Sequence, residues 1–480
     1  MSALCCGAEK ITVRDSGDIK VKRKKDKIKN EIEMSGGELI FSNRYLVRLL
    51  WPLFVEQFLL FAVGLLDSVM VASVGEAAVS AVSLVDSFMV LIITVMTALA
   101  TGGAVVVGQF LGQQKFENAN KAANQLIVFS ILLSLAIIIV MYAGRKILLA
   151  VVFGDIEADV LHYCNVYYLI VAASIPFIAV YNSGAALFRS VGNSKASMRI
   201  SIMMNTVNVA GNAVMIYGLH CGVEGVAVPT LVSRIAAAAA ITVLLKNPER
   251  KIHINKGFSL RPDWNYIKKI LRIGVPNSVE NSMFQLGKLI LLSMISGFGT
   301  ASIAANAVGN AVSMVAVLPG MAMGYGVVSV ISVCVGAGDY LQVRFYTRKL
   351  MKWVYAAMFI SNAAIILALP YIIRVYGLSD ETAELAVRII MINCVSAVFI
   401  WPLSFTVPNV LRAAGDVRYT MITGVISMWV FRILFAVVVS RFMGAGVTGV
   451  WAAMIVDWAV RSVFFCIRYR GGKWKHSAVS

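Results

Sequence analysis

The chain has 480 residues, 59% apolar and only 14% charged, with a mean hydropathy of +0.79, a balance that excludes an ordinary water-soluble globular domain. Its formal charge of +18 could suit a nucleic-acid binder, but the basic residues collect in short joints between apolar stretches, so the expected partner is a lipid bilayer and not nucleic acid. Seven cysteines and four histidines form no CxxC, HExxH or Cys/His cluster, so neither a disulfide framework nor a metal site nor a cofactor is suggested.

In chain order, residues 1–43 come first, with Lys20, Lys22, Arg23, Lys24, Lys25, Lys27 and Lys29. They have little apolar periodicity and read as a disordered basic tail that can touch anionic lipid. No apolar stretch precedes Cys5 and Cys6, so no lipoprotein or cleavable signal is expected. Stretches that can cross a bilayer, which takes roughly 20 residues each, then recur at 46–74, 80–111, 122–144, 159–188, 197–218 and 223–246, making an N-terminal lobe over 44–246. A linker at 247–267 follows. Six further stretches, at 268–297, 302–336, 345–370, 383–411, 419–442 and 447–467, make a second lobe over 268–468, and a basic tail closes the chain at 469–480. The fold class is therefore all-α integral membrane, with twelve transmembrane helices in two parallel six-helix lobes.

The basic residues of the N-terminal tail, the linker, the joint at Arg344, Arg348 and Lys349, and the C-terminus at Arg470, Lys473 and Lys475 fall on one side of that topology. The opposite joints hold mainly Arg145, Lys146, Arg374 and Arg441. Such asymmetry places both termini in the cytoplasm of a multi-pass protein of the cell membrane.

An internal repeat organises the two lobes. At a shift of 224 residues Arg48, Pro52 and Glu56 meet Arg272, Pro276 and Glu280, and Gly75, Gly102 and Gly112 meet Gly299, Gly326 and Gly336. At a shift of 223, Arg189 and Gly192 meet Arg412 and Gly415. Six spans is an even number, so the copies run parallel, related by an axis along the membrane normal, an arrangement found in transporters with the substrate path between the halves.

Ionisable groups inside spans are costly and are functional candidates. Asp67 and Glu56 lie 11 residues apart in the first span, within about 20° of one helix face. Burial disfavours the charged form of a carboxylate, which suits loading and release of a proton, although a carboxylate near the interface can serve merely as a cap. Asn205, Asn208 and Asn212 share one face of the fifth span and read either as interhelical glue or as a hydrogen-bonding shell for Asp67. Glu56, Glu280, Gln285 and Lys288 are candidates for a secondary polar cavity, with pairing of the two glutamates to cytoplasmic arginines as the alternative. Pro52 is a candidate hinge. Asp457 and Arg461 are an i,i+4 pair, and Asp86, Arg234 and Arg432 are left between interface and interior. No GxxxxGK[ST] run or GxSxG elbow occurs, so an ion gradient, not ATP, is the expected energy source and no enzymatic chemistry is supported.

The segments WPLFVEQFLLFAVGLLDSVMVASVG, VGQFLGQQKFENA, LFRSVGNSKASM with its copy LRAAGDVRYTM, and NTVNVAGNAVMIYG together resemble the multidrug and toxic compound extrusion (MATE) family of cation-coupled exporters, over roughly residues 44–470. The resemblance implies export of small organic, often cationic or amphipathic, compounds in exchange for protons or sodium; separately, a monomer is expected. Asp67 matches the family's first-helix acidic residue, and Asn208 and Asn212 match its fifth-helix polar positions. Asn212 stands where some members carry aspartate, Phe284 stands near a glutamate position of others, and residues 392–411 contain no acid. These departures favour proton over sodium coupling. A sodium-coupled antiporter and a flippase of lipid-linked precursors are the alternatives.

Overall fold

A computed structural model describes residues 38–145, 147, 158–254 and 261–478. The expectations for residues 1–37, and for Lys146 and Lys256, lie outside the described residues. Twelve long helices follow in order: α1 Asn43–Ala72, α2 Glu76–Gly112, α3 Phe116–Ala143, α4 in two segments, Ala158–Ala173 and Ile175–Ser190, α5 Ser194–Ala213 with a π-helical end Val214–Gly218, and α6 Glu224–Leu245. The second set is α7 Trp264–Ser296, α8 Thr300–Gly336, α9 Tyr340–Tyr376, α10 Asp380–Phe399 with the continuation Pro402–Ala413, α11 Val417–Phe442 with π-helical stretches, and α12 Gly446–Gly471. All but α7 have the length and composition to cross a membrane, α4 doing so across a 44° bend. The exception carries Lys268, Lys269, Arg272, Glu280 and Lys288 along its 33 residues, so its place in the bundle rests on packing more than on hydropathy.

Capping side chains mark where helices enter the layer. Ser42 accepts from the Tyr45 amide, Asp263 from that of Asn265 and Asp339 from that of Gln342, each satisfying an amide that the first turn leaves without a partner. Gly192 and Gly415, repeat equivalents, both turn the chain at positive φ, +79° and +89°, and an added Cβ would meet Tyr45 Oη at 1.8 Å and Ser477 O at 2.3 Å.

The packing differs between the two ends of the bundle. At the end holding the chain termini, Leu46, Leu49, Leu50 and Leu53 of α1 share one apolar cluster with Val327, Ile331 and Val335 of α8 and Leu411. Reciprocally, Ile270 and Ile273 of α7 sit in a cluster otherwise built largely from α2–α6. At the opposite end, one cluster draws only on α1–α6, around Val85, Tyr168 and Ala227, and another only on α7–α12, around Ala305, Ile389 and Trp451. The two lobes are thus sealed at one end and separate at the other.

The seal is built on the repeat. A Cβ on Gly112 would lie 2.1 Å from Val333 O, and one on Gly336 would lie 2.1 Å from Gln109 O, so α2 and α8 cross with backbones touching. A Cβ on Gly102 would lie 2.7 Å from Gly274 N, and one on its repeat mate Gly326 would lie 2.3 Å from a Leu50 methyl; Leu50 and Gly274 are themselves 224 residues apart, so this is one contact made twice about a pseudo-twofold axis.

One expectation needs correction here. Residues 38–41, assigned to a loose tail, are fixed on α9 of the other lobe. Phe41 N donates to Tyr346 Oη at 2.8 Å, Tyr346 Oη donates back to Phe41 O at 2.7 Å, and Gln342 bonds both Ile40 N (2.9 Å) and Glu38 O (3.0 Å). Phe41 buries its ring against Tyr346, which gives the segment an apolar anchor that the charge-rich tail sequence concealed.

Candidate functional site

Asp67 sits on α1 in the half of the bundle where the lobes have parted. Its Oδ1 accepts from Asn212 Nδ2 of α5 at 2.8 Å. Asn208, one turn earlier on the same face, donates from Nδ2 to Oδ1 and Oδ2 of Asp67 at 3.0 and 3.2 Å while its oxygen accepts from Thr230 Oγ1 of α6 at 3.1 Å, the orientation in which both ends of the amide find a partner.

Around this core lie Asp86 of α2, which accepts from Tyr167 Oη of α4 at 3.0 Å, and Arg234 of α6, which donates to Ser174 Oγ at 2.6 Å. Both charges act on Asp67. Ser174 is the residue at the bend of α4, so the break in that helix places a hydroxyl where Arg234 can use it. The sequence left Asp86 and Arg234 unassigned; their spacing carries no periodic signal tying them to Asp67, and only the packing of α2 and α6 beside α1 brings them together. Asn205 is not brought to Asp67: it is buried one turn below Asn208, with Nδ2 unpartnered.

The proposed grouping of Glu56, Glu280, Gln285 and Lys288 in one polar cavity is not what the structure shows. Glu56 is 3% exposed, accepts from Ser197 Oγ at 2.8 Å and Tyr181 Oη at 3.4 Å, and pairs with Arg189 at 3.4 Å. Glu280, 4% exposed, pairs with Arg412 at 2.7 Å and Arg461 at 3.5 Å. Buried carboxylates demand such partners, and the repeat supplies the same one to each, since Arg189 and Arg412 are equivalent. Only Gln285 and Lys288 line a cavity, one of about 400 Å³ between α2 and the second lobe. Asp457 is fully buried and lies 3.7 Å from Arg432 and 4.0 Å from Arg461, so the i,i+4 partner is the more distant of two.

Pro52 lies inside an unbroken α1. A proline cannot donate to the carbonyl four residues before it, here that of Arg48, and Ser194 Oγ at the start of α5 donates across to Leu49 O at 2.6 Å and Arg48 O at 3.4 Å. The one carbonyl that Pro52 leaves without its helical donor, Arg48 O, is thus reached from a neighbouring helix.

Among the described residues no group of three or more His, Cys, Asp or Glu side chains could hold a metal ion.

The family model described as MatE matches residues 52–214 and again residues 276–438, the two matches offset by 224 residues at both ends. An uncharacterized transporter, YisQ of Bacillus subtilis, is 28% identical over 437 residues, covering 89% of this chain and 94% of the relative. A probable multidrug resistance protein, NorM of Thermotoga maritima, is 24% identical over 442 residues, covering 90% and 93%. Among solved structures, the outward-facing conformation of a multidrug resistance MATE family transporter of the MOP superfamily superposes with a TM-score of 0.80 at 20% identity, covering 90% of this chain and 96% of the other.

Proposed function

Because the chain belongs to the MatE family of transporters, we propose that it is a secondary active exporter of amphipathic organic small molecules, driven by antiport with protons that load and leave at Asp67. The observation that carries this reading is a carboxylate inside a span, Asp67, whose hydrogen-bond partners Asn208 and Asn212 are neutral amides of α5. An ionised Asp67 accepts from both amides; a proton turns one carboxyl oxygen from acceptor to donor and breaks that pattern. A single proton thereby changes how α1 is bonded to α5, which is the differential interaction that coupling between two conformations requires.

The basic residues gathered at the sealed end, among them Lys246, Arg250, Arg272, Arg344, Arg348 and Arg470, support placing that end and both termini in the cytoplasm of a cell-membrane protein. The parted end then faces outward, as expected of a state that releases cargo and takes up protons. Protons are favoured over sodium because Asp67 is met by two amides, Asp86 being turned to Tyr167, so few oxygens converge to replace the hydration shell of an ion.

The test is dye efflux from liposomes carrying the purified protein, with imposed proton and sodium gradients applied separately to a cationic and an anionic dye. Proton-driven efflux that disappears in Asp67→Asn is the expected result. Efflux by Asp67→Asn at the wild-type rate overturns the site, and efflux driven by sodium alone overturns the choice of ion.

A further inference from the structure

The two lobes do not repeat their charges. By the offset that aligns the first two helices of each lobe, Leu291 stands where α1 has Asp67, Asn310 stands where α2 has Asp86, and Lys288 stands where α1 has Gly64. The acid side of the N-terminal lobe thus has a basic counterpart in the other. In the part of the second lobe that packs on Phe284 and Glu280, four cations, Lys288, Arg412, Arg432 and Arg461, meet two carboxylates, Glu280 and Asp457. Arg412 and Arg461 use Glu280, and Arg432 shares Asp457 with Arg461. Lys288 makes no ion pair among the described residues; its ammonium lies 5.7 Å from the Phe284 ring centre.

That surplus faces the cavity. Lys288 and Arg432 both line it, with Gln285, Asn306, Asn310 and Trp451. Arg432 has its Nε buried without a partner, and its guanidinium is held 4.9 Å over Phe284. Trp451 Nε1 donates to Asn306 Oδ1 at 3.2 Å, which fixes that amide with its NH2 left over as a donor. Donors and positive charge converge here at membrane depth, where an unbalanced charge is costly and an anion would balance it with charge-assisted bonds.

We propose that this cavity is an anion-binding pocket that takes the carboxylate or sulfonate of an amphipathic organic anion, with the apolar body of that molecule against Leu289, Leu292 and Trp451. The proposal rests on the exporter reading and names the substrate class for it.

Equilibrium binding tests the pocket without any ion gradient. Fluorescence polarisation of fluorescein with the purified full-length protein in a neutral detergent should saturate. Lys288→Gln should weaken that binding by about tenfold, the size expected for one lost charge-assisted contact, and Lys288→Glu should abolish it. Lys288 makes no ion pair, so both variants should keep the wild-type melting temperature and their binding of ethidium should not fall. Unchanged fluorescein affinity in both variants, or tighter binding of ethidium than of fluorescein by the wild type, overturns the proposal. Competition with micelles containing phosphatidylglycerol separates sources of the anion: retained fluorescein binding supports a soluble organic anion, and full displacement assigns the pocket to a lipid head group and overturns it. A protein that binds fluorescein but moves neither dye under an imposed gradient keeps the pocket and loses the exporter reading.

Discussion

At the scale of single residues, the buried charges divide into those that hold the bundle together and those left available to a ligand or a proton. Glu280 belongs to the first group, wedged between Arg412 and Arg461 and against Gly424, where an added Cβ would meet Glu280 Oε1 at 2.7 Å. Removing a buried carboxylate strands its partners. Glu280→Ala is therefore expected to destabilise the protein by about 3–5 kcal/mol, read as a lower melting temperature in detergent, with a smaller loss, about 1 kcal/mol, for Ser197→Ala, which removes one hydrogen bond to Glu56. Comparable losses from the two substitutions would place the weight on packing and not on charge. Asp67 differs, since its hydrogen-bond partners are neutral amides. The sequence made Asp67, Asn208 and Asn212 legible because an acid in a span and asparagines at i and i+4 are costly wherever they do not face one another. For Glu56 and Glu280 it offered both a polar cavity with Lys288 and pairing with arginines, of which the structure shows the pairing; one helix wheel puts a residue on a face without saying which helix lies opposite.

At the scale of elements, the touching backbones of α2 and α8 set the geometry of the seal. A glycine at each crossing point lets the axes approach closely, and overpacking there costs about 1–3 kcal/mol. Gly336→Val should accordingly lower the melting temperature and weaken the closed end, whereas Gly338→Val, beside open space but at φ +72°, should show backbone strain alone. Equal transport and equal stability for Gly336→Val and wild type would mean the crossing is looser than described. Helix number and order were readable from hydropathy, and the repeat was readable from glycines, prolines and the Glu–Arg positions. Two things were not. The bend of α4 at Ser174 and the break of α10 near Trp401 fall inside stretches that hydropathy reads as single spans, with Pro176 and Pro402 as their local marks, and the anchoring of residues 38–41 depends on a tyrosine and a glutamine roughly 300 positions away, a separation beyond the reach of any local pattern.

At the scale of the whole molecule, a seal at one end and a cleft at the other predict which positions water reaches. In a background with the seven native cysteines replaced, Val90→Cys and Leu292→Cys, both lining the cavity, should react with a membrane-impermeant maleimide added from outside. Val105→Cys, wholly buried in the sealed half, should not. Reaction at all three positions, or at none, would contradict the outward-open arrangement. A proton bound at Asp67 and a compound bound near Lys288 would touch different lobes, and the most extensive contacts between the lobes run along the seam of α1 and α2 with α7 and α8. Coupling between them is then a property of that seam, and reciprocity requires each ligand to shift the other's affinity by the same factor.

The unequal charge of two otherwise equivalent repeats has a consequence for how such a protein can change over generations. A duplicated gene begins with two identical copies, each bound to do the same task. Here the paired glutamates and arginines of the scaffold remain alike in both copies, while the positions facing the cleft have gone separate ways, one toward aspartate and the other toward lysine. Were Lys288 to select the cargo and Asp67 to take the proton, substitutions around Lys288 would redirect what is carried while leaving the residues that meet the proton in place, and a lineage could explore new cargoes with its engine retained.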